Sequence, residues 1–349
     1  VSTILALMAA EVTLRLLEPR IGSAKFELLR RATAESFYYH HHKQLPVEND
    51  WPAFDRTLGW RNTARRLPDG QQETLNSERW RSKTEYDPIP SKRRVILTGD
   101  SFTYGWWVND DETVSAYLQQ ELGPDVEVLN MGARGYGLDQ MALVATKVAP
   151  HYLPDSIVIA FIEDDLRRSC YDFYLFRLRK PRFVWQGDRV VPAGIPVPSP
   201  IETLAEHQRP AQRVVDAVAA HATRFRTACL VTQIPLQLAL DRCLTDLNAA
   251  ILRYIVTESD PKVRKIIVHL DGTLPRGFEA KVRELPVVYV SVPGLVPALS
   301  AELGVPAERH RDGHPKPGLN RIYGRAIATA LRDGVAGGRV NRHAGLTGR

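Results

Sequence analysis

From residue 95 to residue 331, short apolar runs alternate with stretches of helical period. Residues 95–98 (VILT), 126–129 (VEVL) and 157–161 (IVIAF) predict strands. The first and third are apolar throughout, as expected of strands buried on both faces. Residues 229–232 (CLVT), 266–268 (IIV) and 287–290 (VVYV) extend the set. Between the first two runs, 113–122 places Val114, Tyr117, Leu118 and Leu122 on one helical face, with Asp111 as candidate cap. The stretch 138–148 brings Leu138, Met141, Val144, Ala145 and Val148 into phase. Residues 201–226 and 236–256 are helical in pattern. Leu319, Ile322, Tyr323, Ala326, Ile327, Ala330 and Leu331 form a last helical face. Residues 183–191 (FVWQGDRVV) predict a hairpin around Gln186-Gly187-Asp188. Strands alternating with helices predict an α/β fold whose mainly parallel sheet is covered on both sides. Such sheets bind ligands at the carboxyl ends of their strands.

At the first of these ends stand Gly99, Asp100 and Ser101. A serine there is a helix cap when it stands alone. Given a base, and a group to orient that base, it becomes a nucleophile. The surrounding pattern is GDSxTxG (Gly99, Asp100, Ser101, Thr103, Gly105), which differs from the GxSxG elbow. The second strand runs into VLNMGARGYGLDQ, residues 128–140. Its glycines are not in GxGxxG order, so a dinucleotide site is weakly supported. The third ends in FIEDDLRRS, residues 161–169. The segment before the last helix reads RDGHPKPG, residues 311–318.

In this order, the blocks resemble those of the SGNH/GDSL hydrolase superfamily. The resemblance spans roughly residues 94–331 and implies a flavodoxin-like three-layer α/β/α sandwich. It makes Ser101 the nucleophile, with the backbone N–H groups of Ser101 and Gly135 as oxyanion donors. The family's asparagine amide, a further donor, is matched here by Asp164. An ionised carboxylate only accepts hydrogen bonds. This departure makes Asp164 a candidate for a substrate hydroxyl, or for an ion pair with Arg167 or Arg168. The last block makes His314 the base and Asp312 its orienting acid. The family usually spaces this pair DxxH. Here one residue separates them, as in SGNH-type polysaccharide acetyltransferases. His269, with Asp271 nearby, is the alternative base. Trp106, Asp165 and Arg167 are candidate substrate contacts; the faces of Trp106 and Trp107 can stack on a sugar.

The resemblance implies a serine esterase acting on a small-molecule, lipid or glycan ester through an acyl-enzyme. O-acyl transfer to a sugar or lipid, and a catalytically inactive binding module, are the alternatives. No cofactor or metal is expected. LGWRN (58–62) and LNSERWRS (75–82) resemble the segment preceding the GDS block in bacterial members with an amino-terminal membrane anchor, which work outside the cytoplasm. By that resemblance residues 1–17 are the inner half of a signal anchor. The apolar run 1–10 (VSTILALMAA) is itself shorter than the about 20 residues that cross a bilayer, so a packed amphipathic helix is the alternative.

Length and composition place these parts. The 349 residues suit one large domain with an appendage. The division expected is an amino-terminal helix over 1–20, a lead-in over 21–93 without a large core of its own, and a hydrolase-like domain over 94–333 with an insertion at 167–200. A disordered tail is expected over 334–349. The net charge is +6, and residues 332–349 carry four arginines against one aspartate. No basic stripe with aromatic platforms accompanies them, so nucleic acid is not an expected partner. Adjacent histidines in YYHHHK (38–43) point in different directions and predict a surface loop. Cys170, Cys229 and Cys243 form no CxxC pair. Their odd number leaves room for one disulfide at most, or for three buried thiols.

Overall fold

A computed structural model describes residues 2–21, 53–63, 72–174 and 178–333. The segment 38–43 and the tail 334–349 lie outside the described residues. Five parallel strands form the central sheet: β1 (Arg93–Gly99), β2 (Val126–Gly132), β3 (Ser156–Ile162), β4 (Arg264–Asp271) and β5 (Val288–Ser291). Their spatial order is β5-β4-β3-β1-β2. This is the flavodoxin-like order, with the direction of winding reversing beside β1. The helices that matter for the site and the core are α1 (Ser2–Ile21), α2 (Ser101–Tyr104), α3 (Val114–Leu122), α4 (Leu138–Leu143), α5 (Glu163–Arg168), α6 (Pro210–Ala222), α7 (Arg226–Arg242), α8 (Asn248–Glu258) and α9 (Pro317–Asp333), with further short helices between.

Side chains alternate across the sheet and divide the core in two. Ile96, Leu129, Ile157, Ile159 and Ile267 face α4 and α8. Val95, Leu97, Val158, Ile266 and Val268 face α3 and α9. Both faces are dry, which is why β1 and β3 read as unbroken apolar runs. In register, Gly99 of β1 lies between Gly132 of β2 and Ala160 of β3. Three small residues thus line the carboxyl edge at the switch point, and α2 packs closely against the two glycines.

Two local expectations are corrected, and one of two open alternatives for the cysteines is found. Residues 229–232 are helical, inside α7. A four-residue apolar run cannot distinguish strand from helix, and here Val231 faces solvent where a sheet strand would be covered. The cap of α3 is Thr113, whose hydroxyl accepts from Ala116 N at 3.1 Å; Asp111 sits in the preceding turn. Cys170 and Cys243 form a disulfide, and Cys229 is buried outside it.

The hairpin expected at 183–191 forms from Arg182–Gln186 and Arg189–Ala193. The described part of the lead-in places Leu58, Trp60, Trp80 and Tyr86 in the α4/α8 face of the main core. α1 packs on α7: Glu11 Oε2 accepts from Thr227 N at 3.0 Å, and Arg15 donates to Arg224 O at 2.8 Å. No described helix is long and apolar enough to cross a membrane.

Candidate active site

The site begins where β1 stops. Asp100 caps α2, its Oδ1 accepting from Phe102 N at 2.9 Å. This cap turns the chain sharply and leaves Ser101 in the first turn of the helix. Gly99 makes the turn possible. A Cβ there would lie 2.0 Å from Thr103 Oγ1 and 2.5 Å from Ala160 O. The N–H of Ser101 belongs to a helix start, where the first donors lack intrahelical partners.

His314 reaches Ser101 from the loop before α9. Its Nε2 is 2.9 Å from Ser101 Oγ. The loop is held by His310 N donating to His314 O at 2.7 Å and by Arg309, which donates to Gly313 O at 3.2 Å and pairs with Asp271 at 2.7 Å. Asp312 Oδ2 lies 3.0 Å from His314 Nδ1, in ion-pair range without the alignment of a straight hydrogen bond. Such contacts tighten when substrate binds. The single-residue spacing has a local use, since Asp312 Oδ1 accepts from the backbone N–H of His314 at 3.2 Å. One carboxylate therefore holds both the ring and the backbone of the same histidine.

The two tryptophans after the serine surround this pair. Trp107 Nε1 donates to Asp312 Oδ2 at 2.6 Å. Its backbone φ is +67°, a region that a bulky residue enters at a cost. Trp106 packs its ring 6.0 Å from the His314 ring, and Phe102 lies 5.5 Å away on another side. Arg134 covers Trp106 at 4.8 Å. Partial burial alone would raise the Asp312 carboxyl; the hydrogen bonds from Trp107 and His314 N–H, with the nearby imidazole, more than offset this. It is held below the ordinary aspartate range and stays ionised.

Gly135 lies in the loop after β2 with φ +75°, and a Cβ there would fall 2.4 Å from the Tyr174 ring. The N–H groups of Gly135 and Ser101 have no hydrogen-bond partner among the described residues. The lead-in braces this loop. Asn62 donates to Gly132 O at 3.0 Å and accepts from Arg134 N at 3.2 Å, while Trp60 Nε1 donates to Arg134 O at 2.9 Å.

The acidic pair after β3 divides. Asp164 faces solvent, its side chain 66% exposed, and of the two expected arginines it meets Arg168, at 3.8 Å from Nη2. Asp165, expected to face substrate, is instead wholly buried in the first turn of α5. Its oxygens accept from Ile162 N at 2.8 Å and Arg168 Nη1 at 2.5 Å. Burial and the neighbouring Asp100 charge push its carboxyl well up, against the pull of Arg168. Arg167 points away from that cluster and pairs with Glu163 at 3.7 Å. His269 is buried, with Nδ1 at 3.1 Å from Ser291 Oγ and Nε2 at 2.8 Å from Asp271 O. Burial lowers its pKa, so it is a neutral core histidine with both nitrogens engaged. Among the described residues, no cluster of His, Cys, Asp and Glu could hold a metal ion.

Sequence reasoning missed three roles: Trp107 as a donor to Asp312, the Trp60/Asn62 brace, and Arg168 as the partner of Asp100 and Asp165. Only LGWRN carried a signal, through its resemblance to a lead-in.

No protein-family profile and no curated protein matches this chain. Among solved structures, the chain is similar to TesA at 13% identity and TM-score 0.36, over 69% of this chain and 99% of that one. A carbohydrate acetylesterase family member from Sinorhizobium meliloti aligns at 16% identity and TM-score 0.32, over 70% and 99%. The native aryl esterase of M. smegmatis aligns at 18% and 0.29, over 69% and 99%. These likenesses are distant. The strand order and the distances above carry the description of fold and site.

Proposed function

We propose that this chain is a serine esterase of the SGNH/GDSL type, hydrolysing a carboxylic ester through an acyl-enzyme on Ser101. The observation that carries the reading is the chain of contacts from Ser101 Oγ to His314 Nε2 at 2.9 Å and from His314 Nδ1 to Asp312 Oδ2 at 3.0 Å. It lies at the sheet's switch point, where ligands of this fold bind.

The residues divide the work as follows. Ser101 Oγ attacks the acyl carbon while its proton passes to His314 Nε2. Asp312 stabilises the imidazolium and fixes which nitrogen carries the proton. The carbonyl electron pair moves onto oxygen, which the N–H groups of Ser101 and Gly135 receive. The leaving alkoxide takes the proton from His314. Water, deprotonated by the same imidazole, then releases the acid and restores the serine. The test is turnover of short-chain aryl esters by purified protein. Ser101→Ala should abolish turnover and labelling by a fluorophosphonate; full activity in that variant would overturn the assignment. Analysis of products separates free acid from acyl groups passed to an added sugar or lipid acceptor.

We also propose that the protein works outside the cytoplasm, against a membrane surface. Two observations support this. Cys170 and Cys243 are bridged, and such bonds persist in oxidising compartments. Leu5, Leu7, Met8, Val12 and Leu16 of α1 are exposed, and so are apolar side chains of α6 and α7, the latter packed on α1.

A further inference from the structure

The Arg168 guanidinium sits at a junction that neither the triad nor the two backbone donors use. Its Nη1 donates to Asp165 Oδ1 at 2.5 Å, Asp100 Oδ2 at 3.1 Å and Tyr136 O at 3.3 Å. Asp100 and Asp165 are both wholly buried. The same Asp100 Oδ2 lies 3.3 Å from Ser101 Oγ, and Tyr136 directly follows Gly135. The guanidinium therefore spans the ground between the nucleophile and the loop that carries the second backbone donor. Its other nitrogen, Nη2, pairs with the solvent-facing Asp164 carboxylate at 3.8 Å, beyond hydrogen-bond range, and the side chain is 21% exposed. One edge of the fork is spent on buried carboxyl groups; the other faces outward, with Asp164 as a loose ion-pair partner.

Electrostatics says what that edge is for. Attack by Ser101 creates a negative charge beside the buried carboxyl groups of Asp100 and Asp165. Two backbone dipoles must work against that field. Asp164, at the place of the family's amide, points to solvent and offers no proton to donate. Burial alone would lower the pKa of Arg168, but Asp165 and Asp100 raise it, so it is a permanent cation. Resting on the reading of Ser101 as an acyl acceptor, we propose that Arg168 supplies the third donor to the acyl oxygen, through Nη2. In the step itself the Ser101 Oγ–carbon bond forms, the carbonyl π pair moves to oxygen, and the serine proton goes to His314. Arg168 gives up no proton; it receives the oxyanion as a hydrogen-bond acceptor and releases it when the carbonyl re-forms.

The test is steady-state and burst kinetics on a p-nitrophenyl ester. Loss of one oxyanion donor costs on the order of 100-fold in kcat. Arg168→Gln should lose about that much with little change in KM. Arg168→Lys, which keeps the charge but shortens the donor's reach, should lose roughly tenfold or more in kcat. Because Gln leaves two buried carboxylates facing each other, Arg168→Gln/Asp165→Asn supplies a second measurement. It removes one carboxylate with the cation, and should fold yet remain slow. Wild-type kcat in the lysine variant or the double variant, or a loss confined to KM, would overturn the proposal. Absence of Ser101-dependent turnover in the wild-type protein would instead overturn the esterase reading itself.

Discussion

Trp107 shows how much of the site rests on single contacts. Its indole N–H and the His314 ring share one oxygen of Asp312, and nothing else described donates to that oxygen. Trp107→Phe keeps the ring and removes the donor. Hydrogen bonds to charged groups contribute about 1.5–3 kcal/mol when sheltered, and this one is exposed. A fall in kcat of roughly tenfold is expected, with KM and melting temperature nearly unchanged. Unchanged kcat would mean that His314 alone fixes the carboxylate. A second residue-scale prediction concerns Asp165, whose folded-state pKa is raised by burial and by Asp100. A carboxyl raised on folding favours the native state while protonated, so that contribution is lost as pH rises from about 4 through the raised value. Urea midpoints of the wild type should fall as pH rises above the ordinary aspartate range, and Asp165→Asn should flatten that slope. Equal slopes in both proteins would show that Arg168 holds Asp165 ionised throughout. Ser101 and His314 were legible because each belongs to a linear block beside a predicted strand or helix end. Trp107 and Arg168 were not. Their partners lie 205 and 68 residues away in sequence, and no local pattern encodes such a meeting.

The strands of the sheet were readable because both of its faces are dry, which forces unbroken apolar runs. The same rule misled at 229–232, where the run belongs to a helix with one covered side and one exposed. The lead-in was harder to read, having no period of its own; its order comes from pinning onto the sheet domain. Asn62 is wholly buried there and bonds both Gly132 and Arg134. Asn62→Ala leaves a carbonyl and an N–H without that partner, at a cost of about 1–3 kcal/mol. The loop carrying Gly135 should lose its register, so kcat should fall together with the melting temperature. Asn76→Ala, in the same lead-in but bonded only within its own turn to Trp80 N, should lower stability alone. If both variants keep wild-type kcat, the lead-in supports the fold and not the site.

The whole molecule carries two features that bear on the proposed location. The disulfide closes a loop between residues 73 apart in sequence, worth about 4 kcal/mol by loop-closure entropy. Reduction, or Cys170→Ser with Cys243→Ser, should therefore lower the unfolding free energy by up to that amount. The bridge joins the turn just beyond α5 to the junction of α7 and α8, so the loss falls on the elements that hold Arg168. The second feature is apolar. Val214, Val215 and Val218 of α6, Leu230, Val231 and Leu238 of α7, and the outer side chains of α1 are all exposed. Exposed patches of this kind mark interaction sites more often than bare solvent faces. The chain's net charge of +6 favours an anionic surface as the partner. Oxidised full-length protein should co-sediment with vesicles containing anionic phospholipid and less with neutral ones. Leu5→Gln, Leu16→Gln and Val231→Gln combined should release it while leaving ester turnover in solution unchanged. Release by salt alone, with no effect of the three substitutions, would assign the binding to charge. Equal recovery of wild type and variant in the supernatant would remove the membrane from the proposal.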